Sequence, residues 1–366
     1  MKVTDLSLTL FTWESPAWNV GIHSFGGEVQ LGLVTVSTDE GPEGHSFLGS
    51  SRQGADEFAT PLMKVLKPLV VGQNPLFTGA IWERMWKQRR NTWPRTIGAV
   101  DVALWDLAGK ITGQPIYKLL GACRTEVAAY ASSAYLPTPQ AYAEEALHYK
   151  SLGWPAYKIH AHLVPDEDIE ISRIVREAVG DDYVLMLDSG WAYTYEQAIR
   201  VGRAIEELNY FWYEDPLIEE DIHNYVKLHE KLDIPLMATE YAPGGLYGMA
   251  PWVTQGATDY LRGDVAVLGG ITPLVRLCHM ADAFKMKCEI HHGGNSLLNV
   301  ANLHVTMAIT NCDYYEVFPA NGANKYGLVE DIEVDNRGMV RISDKPGLGY
   351  DIDWDLVRRK QTQVIR

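Results

Sequence analysis

The chain opens with alternating apolar and polar positions, in VTDLSLTLF and again in VQLGLVTVS, and the second run ends at the turn-rich DEGPEG of 39–44. Alternation with period two, closed by a turn, predicts an antiparallel meander. From about Ala55 to Thr112 the period becomes helical. In RTIGAVDVALWDLAGKITG, Ile97, Val100, Leu104, Leu107 and Ile111 fall on one stripe, and Gly113 follows as a stop. Strands followed by helices predict a first domain of α+β type over residues 1–124.

After about Arg124, short β-rich runs alternate with amphipathic stretches, with no Pro-rich or charged linker before them. The runs are VAAYASS (127–133), AYKIHAH (156–162), VLMLDS (184–189), YFWYEDP (210–216), PLMATEY (235–241), YLRGDVAVL (260–268), KCEIHHG (287–293) and YYEVF (314–318). Eight such units predict an α/β barrel over 125–323. No direct repeat accompanies them, so the architecture repeats and not the sequence. The tail, 324–366, returns to turn and strand chemistry in GMVRISDKPGLGYDIDWD and is expected to pack back on the first domain.

Size agrees with this division, because a barrel takes roughly 250 residues and the chain has 366. A net charge of −15 argues against a nucleic-acid partner. The N-terminus has neither the basic start nor the apolar core of a signal peptide, and no apolar run reaches about 18 residues, so the expectation is a cytoplasmic protein without a membrane partner. Cys123, Cys278, Cys288 and Cys312 form no CxxC pair and are read as buried free thiols.

The active site of a barrel lies at the C-terminal ends of its strands, and those ends are polar here. Asp188, Glu214 and Glu240 end the third, fourth and fifth runs. A single acid there is a helix cap or a solvated loop residue. Three on adjacent strands repel unless a cation sits among them, and three carboxylates with open positions suit Mg²⁺. Asp215 should point the other way from Glu214. Lys158 and His160, two residues apart, share the interior face of the second run, where a lone lysine needs a carboxylate or a ligand. The sixth run supplies Asp264 and the seventh ends at His291, and a carboxylate beside an imidazole makes a general base. His292 is the competing histidine, set aside because it begins the Gly-rich loop. Glu316, ending the eighth run, either hydrogen-bonds a developing enolate oxygen when protonated or caps a helix.

Together with AVDVALWDLAGKITGQPIYKLLGA (99–122), YKIH, YEDP, GGIT (269–272), YYE and PGLGYD, these residues give a chain that closely resembles the mandelate racemase and muconate lactonizing branch of the enolase superfamily. The resemblance covers nearly the whole chain. It implies a (β/α)7β modified TIM barrel under a capping domain completed by the C-terminal tail, with Mg²⁺ on Asp188, Glu214 and Glu240. It further implies that Lys158 binds the substrate carboxylate, that Asp264 and His291 form the base, and that Glu316 stands near the enolate oxygens. The family's usual second lysine is His160 here, which favours an imidazole as acid catalyst. Ser189-Gly190 follows Asp188 where a larger amide or acid is common.

Specificity in such proteins sits in capping loops, here 12–25 and 45–54, whose His23, His45 and Arg52, with His292, are candidate substrate contacts. Polar groups there suit a polyhydroxylated acid. The expectation is dehydration of a sugar acid, an aldonate or aldarate, to a 2-keto-3-deoxy acid. Racemisation, epimerisation or cycloisomerisation of a related acid shares the same enolate. A zinc hydrolase using His160-Ala-His162 and a non-catalytic binding protein are the readings from other classes. The resemblance also suggests an even-numbered homo-oligomer, often of eight subunits.

Overall fold

The structure is a computed structural model that describes every residue except 21, 22, 319–321 and 323; the side chains of 18–24 also lie outside the described set. Strands β1 (Val3–Val20), β2 (His23–Thr38) and β3 (Glu43–Leu48) form the expected antiparallel meander. Their alternation sorts side chains between two cores. Leu6, Leu8 and Leu10 pack with Ile97, Val100, Leu104 and Leu107 of the Pro94–Thr112 helix, whereas Phe11 and Trp13 face the barrel side. That helix ends at Gly113, whose φ of 66° is a left-handed C-cap. At Gly44 a β-carbon would stand 2.0 Å from the Ala103 carbonyl oxygen, so β3 and the helix meet backbone to backbone.

Eight parallel strands follow: β4 (Glu126–Ser132), β5 (Ala156–His160), β6 (Val184–Asp188), β7 (Tyr213–Glu214), β8 (Leu236–Ala238), β9 (Tyr260–Gly263), β10 (Lys287–Ile290) and β11 (Tyr314–Val317). β11 pairs with β4, Glu316 opposite Tyr130, and closes the barrel. A helical connection separates each strand from the next, giving (β/α)7β. Tyr130, Ala156, Met186, Trp212 and Met237 fill the lower interior, so the barrel is plugged by side chains below its mouth.

The ladders are shorter than the predicted runs, and two of them stop for a visible local reason. YFWYEDP keeps only Tyr213–Glu214 as ladder, because Asp215 takes a left-handed φ of 43° and Pro216 follows. In YLRGDVAVL the strand stops at Gly263, and Val265–Leu268 is a helical turn capped by Asp264. Four consecutive apolar residues carry no period that separates the two conformations. The tail visits both units: β12 (Met339–Arg341) pairs antiparallel with β4, and β13 (Gln361–Ile365) pairs with β1, Leu8 opposite Ile365. Three cysteines are buried as expected, but Cys123 is exposed. Among the described residues, no helix is long and apolar enough to cross a membrane.

Candidate active site

The parallel register sets the strand ends at one level, with Asp188 of β6 opposite both His160 of β5 and Glu214 of β7. Lys158, fully buried, reaches Asp188 at 3.2 Å, Glu214 at 3.0 Å and Glu316 at 2.9 Å. Arg262 enters the same cluster from β9. Its Nε lies 2.6 Å from Glu214 and 3.7 Å from Glu240, and its Nη2 2.5 Å from Glu316. No motif in the sequence singles out Arg262, although alternation along β9 puts it on the same face as Asp264.

Electrostatics divide the acids. Burial opposes the charge on Asp188, yet Lys158 and His160 hold it well below the ordinary carboxylate range. Burial likewise opposes the charge on Glu316, and Arg262 and Lys158 outweigh it, so this carboxyl stays ionised. That removes the expected protonated donor at Glu316. Glu240 is pushed well above the ordinary range by burial, with Asp188 and Glu214 adding to it. Asp188, Glu214, Glu240 and Glu316 set four carboxylates against two permanent cations, Lys158 and Arg262, and a divalent cation would balance the difference. Asp215, expected to point away, lines the same cavity, and its Oδ1 is buried without a partner among the described residues. The left-handed turn at Asp215 is what breaks the strand alternation.

The donor set therefore fits a hard divalent cation on Asp188, Glu214 and Glu240. A tighter grouping of ligating atoms is His291, His292 and Glu316, within 4.8 Å of one another. Two of its three groups are imidazoles, whereas Asp188, Glu214 and Glu240 offer only the carboxylate oxygens that a hard cation takes. The acid trio is the better cation site.

Two imidazoles flank this cluster. His291 Nδ1 donates to Asp264 Oδ2 at 2.6 Å, which leaves Nε2 as the basic nitrogen, 3.2 Å from Glu240. Burial holds the ring well below its usual value, hence neutral and able to accept a proton. Asp264 is fixed by the backbone N–H groups of Ala266 and Val267. On the other side, His160 Nδ1 lies 2.8 Å from the Ser133 carbonyl oxygen, which can only accept, so Nδ1 carries a hydrogen and Nε2 faces Asp188 at 3.0 Å.

Both imidazoles, Asp188, Glu240, Arg52 and His292 line one cavity of about 210 Å³ at the mouth. His292 gives its backbone N–H to Glu316 at 3.1 Å. His45 is a correction. It sits inside the capping domain, with Nδ1 3.3 Å from Thr35 Oγ1 and its ring edge-on to Trp354, and burial pushes it down to about 3. Being on β3, its side chain is committed to the core and not to a loop. The side chain of His23 lies outside the described residues. His162 turns away to Glu167 and the Leu136 carbonyl, so the His-x-His pair does not converge. Ser133, Arg95, Tyr135, Trp191, Tyr241 and Asn324 line the cavity without having been singled out. Only folding brings these loop residues together, and no periodicity announces them.

Known proteins resemble this chain in sequence and fold. Residues 11–121 match the N-terminal domain of the mandelate racemase / muconate lactonizing enzyme family, and 141–356 match the enolase C-terminal domain-like family. Arabinonate dehydratase of Saccharolobus solfataricus is 30% identical over 310 residues, 81% of this chain and 82% of that protein. D-galactarolactone cycloisomerase of Agrobacterium fabrum is 29% identical over 344 residues, 88% of this chain and 89% of that protein. The crystal structure of D-glucarate dehydratase from Agrobacterium tumefaciens complexed with magnesium superposes with a TM-score of 0.91 at 33% identity, covering 99% of this chain and all of that one. With both halves matched and the fold shared, the chain belongs to the mandelate racemase and muconate lactonizing family of the enolase superfamily.

Proposed function

We propose that this enzyme dehydrates a sugar acid to a 2-keto-3-deoxy acid with Mg²⁺ on Asp188, Glu214 and Glu240. The observation that carries the reading is the pair of differently wired imidazoles, His160 on β5 and His291 after β10, facing one carboxylate-lined cavity. Removing a proton α to a carboxylate builds negative charge on two oxygens, and the ion supplies Lewis acidity toward them.

The chain's own groups divide the remaining work. His291 Nε2 takes the α-proton, and Asp264 stabilises the imidazolium that results. Lys158 and Arg262 keep positive charge beneath the reacting carboxylate while holding Glu316 ionised. His160, its Nδ1 hydrogen committed to Ser133, delivers a proton through Nε2 to the departing β-hydroxyl. The C–H and C–O bonds break, water leaves, and the enol tautomerises to the 2-keto acid. An imidazole where the family resemblance implies a lysine suits this acid step better than abstraction of a second α-proton.

Cycloisomerisation is the second reading, favoured by the likeness to D-galactarolactone cycloisomerase; it needs the same base but loses no water. A screen of sugar acids and their lactones with Mg²⁺ in D₂O tests both, scoring keto-acid formation and α-proton exchange. Keto acid from a small set of stereoisomers is expected. Exchange without keto acid, or keto acid from the lactones and from none of the open-chain acids, would overturn dehydration, and no signal from any sugar acid would overturn the substrate class. A native mass above that of one chain is expected as well, checked by sedimentation.

A further inference from the structure

The cavity at the mouth does not end at the carboxylates. A second cavity, of about 540 Å³, opens between the 50–53 loop, the segment preceding the Pro94–Thr112 helix and the loop after β8. The two share Ser50, Arg52, Arg95, Glu240 and Tyr241, so they form one branched space. The second branch is walled by Arg89, Trp86 and Trp93, with the Arg89 guanidinium 5.7 Å from the centre of the Trp86 ring.

Arg95 stands at the junction. Its Nη1 is buried yet has no hydrogen-bond partner among the described residues, and it lies beside Gly294, the cavity-lining glycine behind the two adjacent histidines. A buried guanidinium hydrogen without an acceptor is destabilising, and an anionic ligand relieves it best, since the planar fork matches a carboxylate. In a chain of net charge −15, three arginines on one branched cavity mark a local site for negative charge.

We propose that Arg95, backed by Arg52 and Arg89, binds a second carboxylate at the far end of the substrate, so that the enzyme prefers sugar diacids (aldarates) over the matching monoacids (aldonates). This rests on the sugar-acid reading above and names the class within it. The reacting carboxylate would lie at Lys158 and the acid trio, and the distal one at Arg95.

The test is equilibrium binding by calorimetry, in Mg²⁺, on a His291→Asn background that prevents turnover. The probes are the hexarates and their matching hexonates. At least one hexarate is expected to bind ten- to a hundredfold tighter than its hexonate, the range of one charge-assisted bidentate contact. Arg95→Gln should collapse that ratio toward one, and Arg95→Lys should restore part of it. A general structural role would weaken both classes alike and leave the ratio standing. Hexonates binding as tightly as hexarates, a preference that survives Arg95→Gln, or no hexarate binding at all would each overturn the proposal. Keto acid formed from a hexonate by the unmodified enzyme would then leave the dehydratase reading intact.

Discussion

Two regions of this molecule bury ionisable side chains: the barrel mouth, and the seam where the Pro94–Thr112 helix and the C-terminal tail lie against the barrel. At the seam most partners are backbone groups or fixed neutral donors, and the charge pair of Asp106 with Lys110, at 2.6 Å, matches one acid with one cation. Asp101 accepts from the Thr272 N–H and hydroxyl, Asp106 from the N–H groups of His45 and Leu348, and His304 accepts from the Tyr117 N–H while donating to the Leu348 carbonyl. At the mouth, charge meets charge, with two more carboxylates than permanent cations among Asp188, Glu214, Glu240, Glu316, Lys158 and Arg262. Burial of a polar group therefore does not mark function here. What marks it is whether the partners are complete.

Breaking the mouth should abolish chemistry without unfolding the chain. His291→Asn removes the base and is expected to lower kcat on the order of 10²- to 10⁴-fold, the usual worth of a positioned general base. Its melting temperature should stay within a few degrees of the parent. A loss below tenfold would show that another group abstracts the proton.

Supplying the missing positive charge should stabilise the mouth. Removing divalent ions with a chelator is expected to stop turnover and lower the melting temperature, and Mg²⁺ should restore both. At a hundred times its dissociation constant a ligand adds about 2.7 kcal/mol, a shift of roughly 3–4 °C for a chain this long. A melting temperature indifferent to Mg²⁺ would remove the acid trio as its site.

The same contrast explains which residues were legible in the sequence. The acid trio, Lys158 and the Asp264 and His291 pair stand at strand ends, where a period of two and the barrel's polarity fix both place and direction. Arg262 obeyed the same rule and could have been found by it. His45 lay beyond its reach, because β3 is in the capping domain and is buried on both faces from Gly44 onward, which leaves no alternation to separate core from loop. Arg95, Ser133 and Asn324 reach the cavity through loops and helix starts whose approach depends on the completed fold. The short ladder at β7 and the turn after β9 were hidden for a local reason, since a left-handed Asp215 and an Asp264 cap leave no periodic trace.

Crowding the seam should cost stability and spare the site. At Gly98 a β-carbon would stand 2.3 Å from the Val265 carbonyl oxygen, at the helical turn that follows Asp264. Gly98→Ala is expected to destabilise by about 1–3 kcal/mol, as overpacking does elsewhere. Denaturant titration measures it. Because the acid trio lies on other strands, the Mg²⁺ concentration giving half-maximal stabilisation should not move; a parallel loss of Mg²⁺ binding would mean that seam and mouth are one unit.

The finest test of the comparison is the pH dependence of a group whose partners are complete. Burial holds His304 down at about 4, against 6.5 for a free imidazole, because the folded chain keeps it neutral. A base with a lowered folded pKa adds stability that is fully present above the unfolded value and is lost as pH falls from 6.5 toward 4, where the unfolded chain takes up the proton first. Between pH 7.5 and 5.5 the loss attributable to His304 is about 1 kcal/mol. Glutamine at that position can still accept and donate but cannot titrate. His304→Gln should therefore flatten the fall in denaturation free energy by about that amount over this window, measured without Mg²⁺ so that the mouth adds no metal linkage. If the slope is unchanged, the proton taken up on unfolding belongs elsewhere, and the seam is less completely partnered than its hydrogen bonds indicate.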